Sequence, residues 1–322
     1  MNMKALTLPA SIMDTISRLT MRFNIFANVK WGRLSVISVP TLWLAVFFFI
    51  PFVVVFKISL AESAIAIPPY SSLFEWDAEE AFLAIKVSLA NYVYLFEDTL
   101  YIEAYWSSIK IAAVSTFITL IVAFPIAYLI ARSDPQKRTL LLALVVLPFW
   151  TSFLLRVYAW IGFLKKNGVI NDVLMGLGII DQPITMIQTD FAVYIGIVYT
   201  YLPFMILPLY TALEKMDITL LEAAEDLGAK PYQSFFLVTL PLAVPGIIAG
   251  CLLVFIPAVG EFVIPALLGA SDTLMIGRVL WDEFFLNRDW PMASAVATVM
   301  LIILVLPIML ITNRTETKEG AK

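Results

Sequence analysis

At 322 residues, 61% hydrophobic and only 14% charged, with mean hydropathy +0.90, the chain is too apolar for a water-soluble domain of its length. Its one cysteine, Cys251, leaves no intramolecular disulfide and no cysteine metal cluster, and the absence of histidine removes His-based nucleophiles, His-rich metal sites and the usual proton shuttle. The formal charge of −4 carries little meaning until it is divided between the two sides of a membrane.

Long unbroken apolar runs, rather than alternating strands, predict an all-α polytopic membrane protein. Residues 1–34 form a polar, basic tail, with Lys4, Arg18, Arg22, Lys30 and Arg33 against Asp14. Within it, 12–26 reads equally as an interfacial amphipathic helix or as a loosely ordered tail. No cleaved signal peptide is expected, because the first apolar run starts late, is long and has no small-residue cleavage site after it. Six spans are expected, at 35–56, 104–131, 139–161, 191–213, 242–264 and 292–311, making a transmembrane domain of 35–312 before a charged tail at 313–322. The segment 57–103 is rich in acid, and 162–190 carries the turn signals Asn167-Gly168 and Gly176-Leu177-Gly178. Pro257 and Gly260 break the fifth span, and Asp289 suits the cap of the sixth.

Six spans put both termini on one side. Thirteen of the 21 Lys and Arg fall on that side, and fifteen of the 25 Asp and Glu on the other. The positive-inside rule then places both termini and the loop 214–241 in the cytoplasm, and an acidic surface outside.

Residues 219–241 read as two short helices with a break. Thr219 and Glu222 have capping-box spacing, and a helix over 220–227 follows. Gly228 stands where a left-handed residue after the helix is wanted. Pro231 suits the first position of the next helix, and Pro241 marks the entry to the next apolar run. The small side chains of Ala223 and Ala224 allow close approach, while Glu222, Glu225 and Asp226 can fix a register.

Glu222-Ala223-Ala224, Gly228 after three residues, then Val238 and Leu240-Pro241, together resemble the EAA loop of permease subunits of binding-protein-dependent ABC importers; Val238 stands where Ile is usual. The resemblance implies a type I importer permease fold, with this loop as a coupling helix pair docked on a cytoplasmic ATPase. It implies two ATPase copies, a second permease subunit making a heterodimer, and a periplasmic binding protein as partners. The chain has no G-x-x-x-x-G-K-[ST] phosphate loop, so ATP and Mg are expected on the ATPase and no cofactor on this chain. Membrane lipid completes the expected surroundings, and nucleic acid has no place among them.

The run Leu147-Pro148-Phe149-Trp150-Thr151-Ser152-Phe153-Leu154-Leu155-Arg156-Val157-Tyr158-Ala159-Trp160 is similar to permeases for polyamines, putrescine and spermidine. So are Lys166 to Asn171, Asp181-Gln182-Pro183, Pro257 to Pro265, Leu268-Gly269, Ile276-Gly277 and Asn287 to Pro291. Together they stand closest to the first permease of a putrescine importer, with a spermidine importer as the alternative. A polyamine needs carboxylates for its ammonium groups and aromatic faces along its methylenes. Glu261, a carboxylate inside a span, is expected either to meet an ammonium on the translocation path or to pair with Arg156. Trp150, Tyr158, Trp160, Tyr199 and Tyr201 are aromatic candidates for the same path, although Tyr158 and Trp160 equally suit an interfacial belt. Two other classes stay open at this point, an ion-coupled secondary transporter and an intramembrane enzyme. The first lacks related broken helices in two halves. The second lacks paired carboxylates within the spans.

Overall fold

The longest helix is built on a stripe of small residues. In the computed structural model, which describes residues 31–77 and 82–319 with side chains for 36–73 and 86–305, it runs over Thr99–Arg132. The expected amphipathic segment at 12–26 lies outside the described residues. The chain carries α1 (Val36–Ser59), a hairpin of β1 (Phe74–Asp77) and β2 (Phe82–Ile85), α2 (Ala90–Glu97), α3 (Thr99–Arg132), α4 (Pro135–Val146), α5 (Phe153–Leu164), α6 (Val169–Gly176) and α7 (Asp190–Glu214). Then come α8 (Thr219–Asp226), α9 (Pro231–Val259), α10 (Val263–Leu268), α11 (Ile276–Trp281) and α12 (Trp290–Glu319). By length and composition α1, α3, α7 and α9 can each cross a membrane. The third apolar stretch in chain order is a bent pair, Pro135–Trp150 with Phe153–Gly176, and the last is the shorter Trp290–Val305. The chain divides into two units at Lys57, with α1 in the first and α2 to α12 in the second.

In the second unit α3, α7 and α9 pack on one another. Along α3, Ala104, Ser108, Ala112, Ser115, Thr119, Ala123 and Ala127 recur every three or four residues, and all are fully buried. Small residues at helical spacing let backbones approach closely where apolar lipid supplies no hydrophobic drive to associate. Asp98 starts the helix by accepting the Leu100 N–H at 2.9 Å. Ser108 Oγ accepts the Ile276 N–H at 2.7 Å, and the Tyr105 hydroxyl donates to the Val296 carbonyl at 2.7 Å, so α3 also holds α11 and α12. Asp289 does cap the last helix, accepting the Met292 N–H at 3.0 Å.

Gly246 on α9 meets α7 where no side chain fits. A Cβ there would stand 2.8 Å from the Pro208 carbonyl oxygen and 2.6 Å from Ala212 Cβ. Backbone cannot give way as a side-chain tip can. Gly246→Val is therefore expected to destabilise the helix pair by about 1–3 kcal/mol, read as a lower melting temperature of the detergent-solubilised protein.

Three expectations need correction. The third span is not one helix. Pro148 cannot donate an N–H, a 3-10 turn forms at Leu147–Trp150, and Thr151 is extended (φ −93°, ψ 150°), its N–H and hydroxyl both bonded to the Pro148 carbonyl. The helices Pro135–Trp150 and Phe153–Gly176 meet there at 91°. The fifth span breaks at Gly260 as expected but not at Pro257, which lies inside the helix, so the span ends at Val259 rather than 264 and α10 begins at Val263. Pro241, conversely, interrupts nothing. A π-turn over Phe235–Thr239, closed by the Leu240 N–H on the Phe235 carbonyl, widens the helix and makes room for the proline ring, so α9 is continuous from Pro231. Among the described residues the fold is all-α apart from the antiparallel hairpin, registered Phe74 on Ile85 and Asp77 on Phe82, within the segment read as rich in acid.

Candidate functional site

Two places gather the predicted residues. The first is the elbow between α7 and α9. Its opening helix is not capped by Thr219 and Glu222. Ile218 is already helical (φ −66°, ψ −30°), and Asp217 Oδ1 accepts the Thr219 N–H at 3.0 Å. An aspartate two residues upstream reaches the free N–H first, which leaves Thr219 inside the helix. The far end follows expectation. Gly228 has φ +82°, its N–H donates to the Glu225 carbonyl at 2.8 Å, and the Ala229 N–H reaches back to the Ala224 carbonyl at 3.0 Å. That pair of bonds is a Schellman closure. Pro231 opens α9, and Gln233 Oε1 accepts the Lys230 N–H at 2.8 Å. Glu222, Ala223, Glu225, Asp226 and Leu227 are exposed, and so is Pro241, while Ala224 and Leu240 are half-buried. Leu227, at the tip, is 89% exposed.

The second place is the break between α9 and α10. Glu261 sits in it rather than within a helix. Its Oε1 accepts the Val263 N–H at 3.1 Å and the Ile264 N–H at 3.4 Å, so the carboxylate caps α10. Its Oε2 accepts the Tyr201 hydroxyl at 2.6 Å. Among the described residues it is the one buried charged side chain. The alternative partner is not engaged. Among the described residues no cation lies within 4.0 Å of Glu261, and the Arg156 guanidinium rests over the rings of Phe149 and Phe153 at 5.5 and 5.9 Å. A tyrosine hydroxyl and two backbone N–H groups satisfy the carboxylate without bringing a second charge out of water.

The aromatic candidates divide. Tyr201 joins Glu261. Trp160 and Tyr199, edge to face at 5.5 Å, line a separate cavity with Arg156. Trp150 and Tyr158 are 85% and 55% exposed and join neither group. Sequence reading missed one element beside Glu261. Phe262 stacks on Trp281 at 4.4 Å and 9°, and Trp281 lies 4.1 Å from Phe285. This aromatic row stands on α11 and the π-turn Asp282–Leu286, within what reads as a polar loop. The available signal is Trp281 and Phe285 four residues apart, beside Asp282 and Glu283. Glu283 is fully engaged, with Tyr101 at 2.9 Å and Asn287 at 2.9 Å, whereas Asp282 bonds to none of the described side chains.

A family model described as "Binding-protein-dependent transport system inner membrane component" matches residues 100–314. The chain belongs to that family. It is similar to the spermidine/putrescine transport system permease protein PotB of Haemophilus influenzae, with 47% identity over 225 residues, 70% of this chain and 78% of that one. Against PotB of Escherichia coli the identity is 42% over 226 residues, covering 70% and 82%. The fold is similar to that of a bacterial ABC transporter that imports the acidic polysaccharide alginate, with TM-score 0.62 and 17% identity, over 92% of this chain and 99% of that one. The chain is thus a permease subunit of an ABC importer of the inner membrane. This replaces the ion-coupled transporter and the intramembrane enzyme as readings. The first-permease likeness stands against relatives named for spermidine and putrescine together rather than for putrescine alone.

Proposed function

We propose that this subunit forms half of the translocation path of an ATP-driven polyamine importer, with putrescine as the leading cargo and spermidine as the alternative. The observation that carries the reading is Glu261. A buried carboxylate at a helix break, with a tyrosine hydroxyl on one oxygen and aromatic rings next to it, is chemistry for an alkylammonium ion. Similarity to permeases named for spermidine and putrescine supports the same cargo.

In this reading an external binding protein delivers the polyamine to an acidic outer surface. Glu261 and Tyr201 then take one ammonium group, and Phe262 and Trp281 flank the methylenes. Trp150 and Tyr158 belong to the membrane interface. The loop 214–241 lies in the cytoplasm with both termini, and its residues Glu222, Ala223, Ala224, Gly228, Leu240 and Pro241 meet one of two ATPase copies, which bind ATP and Mg. A second, different permease completes the path. Residues 1–34 and 313–322 are tails outside the 35–312 transmembrane domain. The test is reconstitution of the whole assembly into proteoliposomes with the binding protein outside and ATP inside. Uptake of labelled putrescine or spermidine that stops without ATP is the expected result. ATP-dependent uptake of neither would refute the cargo assignment.

A further inference from the structure

Arg156, expected as a possible ion-pair partner of Glu261, carries a charge wrong for a polycation, and its surroundings suit something else. None of its guanidinium N–H groups finds an acceptor among the described residues, and its Nε is buried without a partner. Two phenyl rings hold the guanidinium plane, Phe149 at 5.5 Å and Phe153 at 5.9 Å. Beside it lies a cavity of about 300 Å3 lined by Thr151, Leu155, Ala159, Trp160, Phe163 and Tyr199. The half-buried guanidinium has rings on its faces and no anion among the described residues, and its fork of donors matches phosphate oxygens. A dication entering this cavity would meet repulsion.

We propose that this cavity is a binding site for the phosphate of an anionic membrane lipid. Three features favour a lipid over a soluble anion. Arg156 lies one turn into α5, immediately after the 91° bend, where the chain changes direction relative to α4. Leu154 and Leu155, 49% and 67% exposed, flank it and offer apolar contact to acyl chains. Trp150 and Tyr158, exposed on the same stretch, are the residue types that settle at headgroup level. The guanidinium takes the phosphate oxygens, Trp160 and Tyr199 wall the headgroup, and the chains run along Leu154 and Leu155. The site then fixes the bend between α4 and α5 from outside.

The test uses the complete transporter in detergent. Its melting temperature is followed on titration with dioleoylphosphatidylglycerol, with dioleoylphosphatidylcholine and with sodium phosphate. Phosphatidylglycerol is expected to raise the melting temperature of the wild type by about 3 °C or more, and neither of the others to do so. Arg156→Gln is expected to lose the shift and Arg156→Lys to keep part of it. An equal shift from sodium phosphate would make the ligand a free anion and overturn the lipid. No selective shift in the wild type would overturn the site itself, leaving a carboxylate of a neighbouring chain as the partner of Arg156. An undiminished shift in Arg156→Gln would place the lipid elsewhere. Should that variant fail to assemble, native mass spectrometry of the wild type decides, since retained phosphatidylglycerol supports the site and its absence refutes it.

Discussion

Replacing Glu261 by Gln is expected to lower polyamine uptake by about 10- to 100-fold while leaving the transporter assembled. A hydrogen bond to a charged group contributes about 1.5–3 kcal/mol, and each 1.4 kcal/mol is a factor of ten, which sets that range. The substitution is close to a clean removal of charge. The amide oxygen still accepts the Val263 and Ile264 N–H groups, so the cap of α10 is kept. The Tyr201 hydroxyl can turn to accept from the new amide nitrogen. Glu261→Ala removes both roles and should cost stability as well. Tyr201→Phe breaks only the 2.6 Å bond, keeps the charge, and should affect uptake far less than Glu261→Gln. Initial rates of labelled putrescine uptake over a concentration series, with assembly checked by size exclusion, give the comparison. Uptake by Glu261→Gln at the wild-type rate would remove Glu261 from the path.

Gly228→Val should reduce ATP-driven transport at least about tenfold without disturbing the helices in the membrane. The argument rests on backbone alone. A Cβ at Gly228 would find no atom within 4 Å, so space is not the obstacle. The obstacle is φ +82°, which costs an L residue about 1–2 kcal/mol and a β-branched residue more. Relieving it would open the Schellman closure, and the exposed tip at Leu227 would swing with it. Gly228→Asn should keep most of the activity, because Asn tolerates the left-handed region. Uptake measured beside ATPase recovery in a pull-down distinguishes a failed elbow from a missing partner. A Val variant that transports normally would show that the elbow does not transmit the stroke.

The spans that α1, α3, α7 and α9 carry were legible because their apolar runs are long and the intervals between them charged. What escaped was set by local geometry that residue types do not announce. Pro148 and Pro241 are both prolines in apolar runs, yet the first ends a helix and the second is absorbed by a π-turn. The start of α8 was assigned to Thr219 because a capping box is a spacing rule, whereas Asp217 competes from outside the spacing. Asn171 shows how a segment expected as loop can hold order. Its buried amide donates to the Lys165, Lys166 and Ile184 carbonyls and accepts the Ile184 N–H, pinning α6 between the turn signals. At the candidate site the carboxylate was read from its position in an apolar run. Its partner was chosen by charge, and the hydroxyl that actually meets it is 60 residues away. Such a contact is decided by how α7 and α9 pack, which no spacing encodes.

The continuity of α9 has a mechanical consequence. Helix Pro231–Val259 has 29 residues, so it is a rod about 43 Å long, with the elbow at one end and the turn carrying Glu261 at the other. Between them Gly246 rests directly on the backbone of α7 and makes a natural fulcrum. It lies about 15 residues from one end and 13 from the other, so the two arms are nearly equal, each about 20 Å. Tilting the rod by about 10° moves each end by about 3–4 Å in opposite directions, comparable to the length of one strong hydrogen bond. If the elbow couples to an ATPase as proposed, a push there would reach the turn carrying Glu261 with its direction reversed.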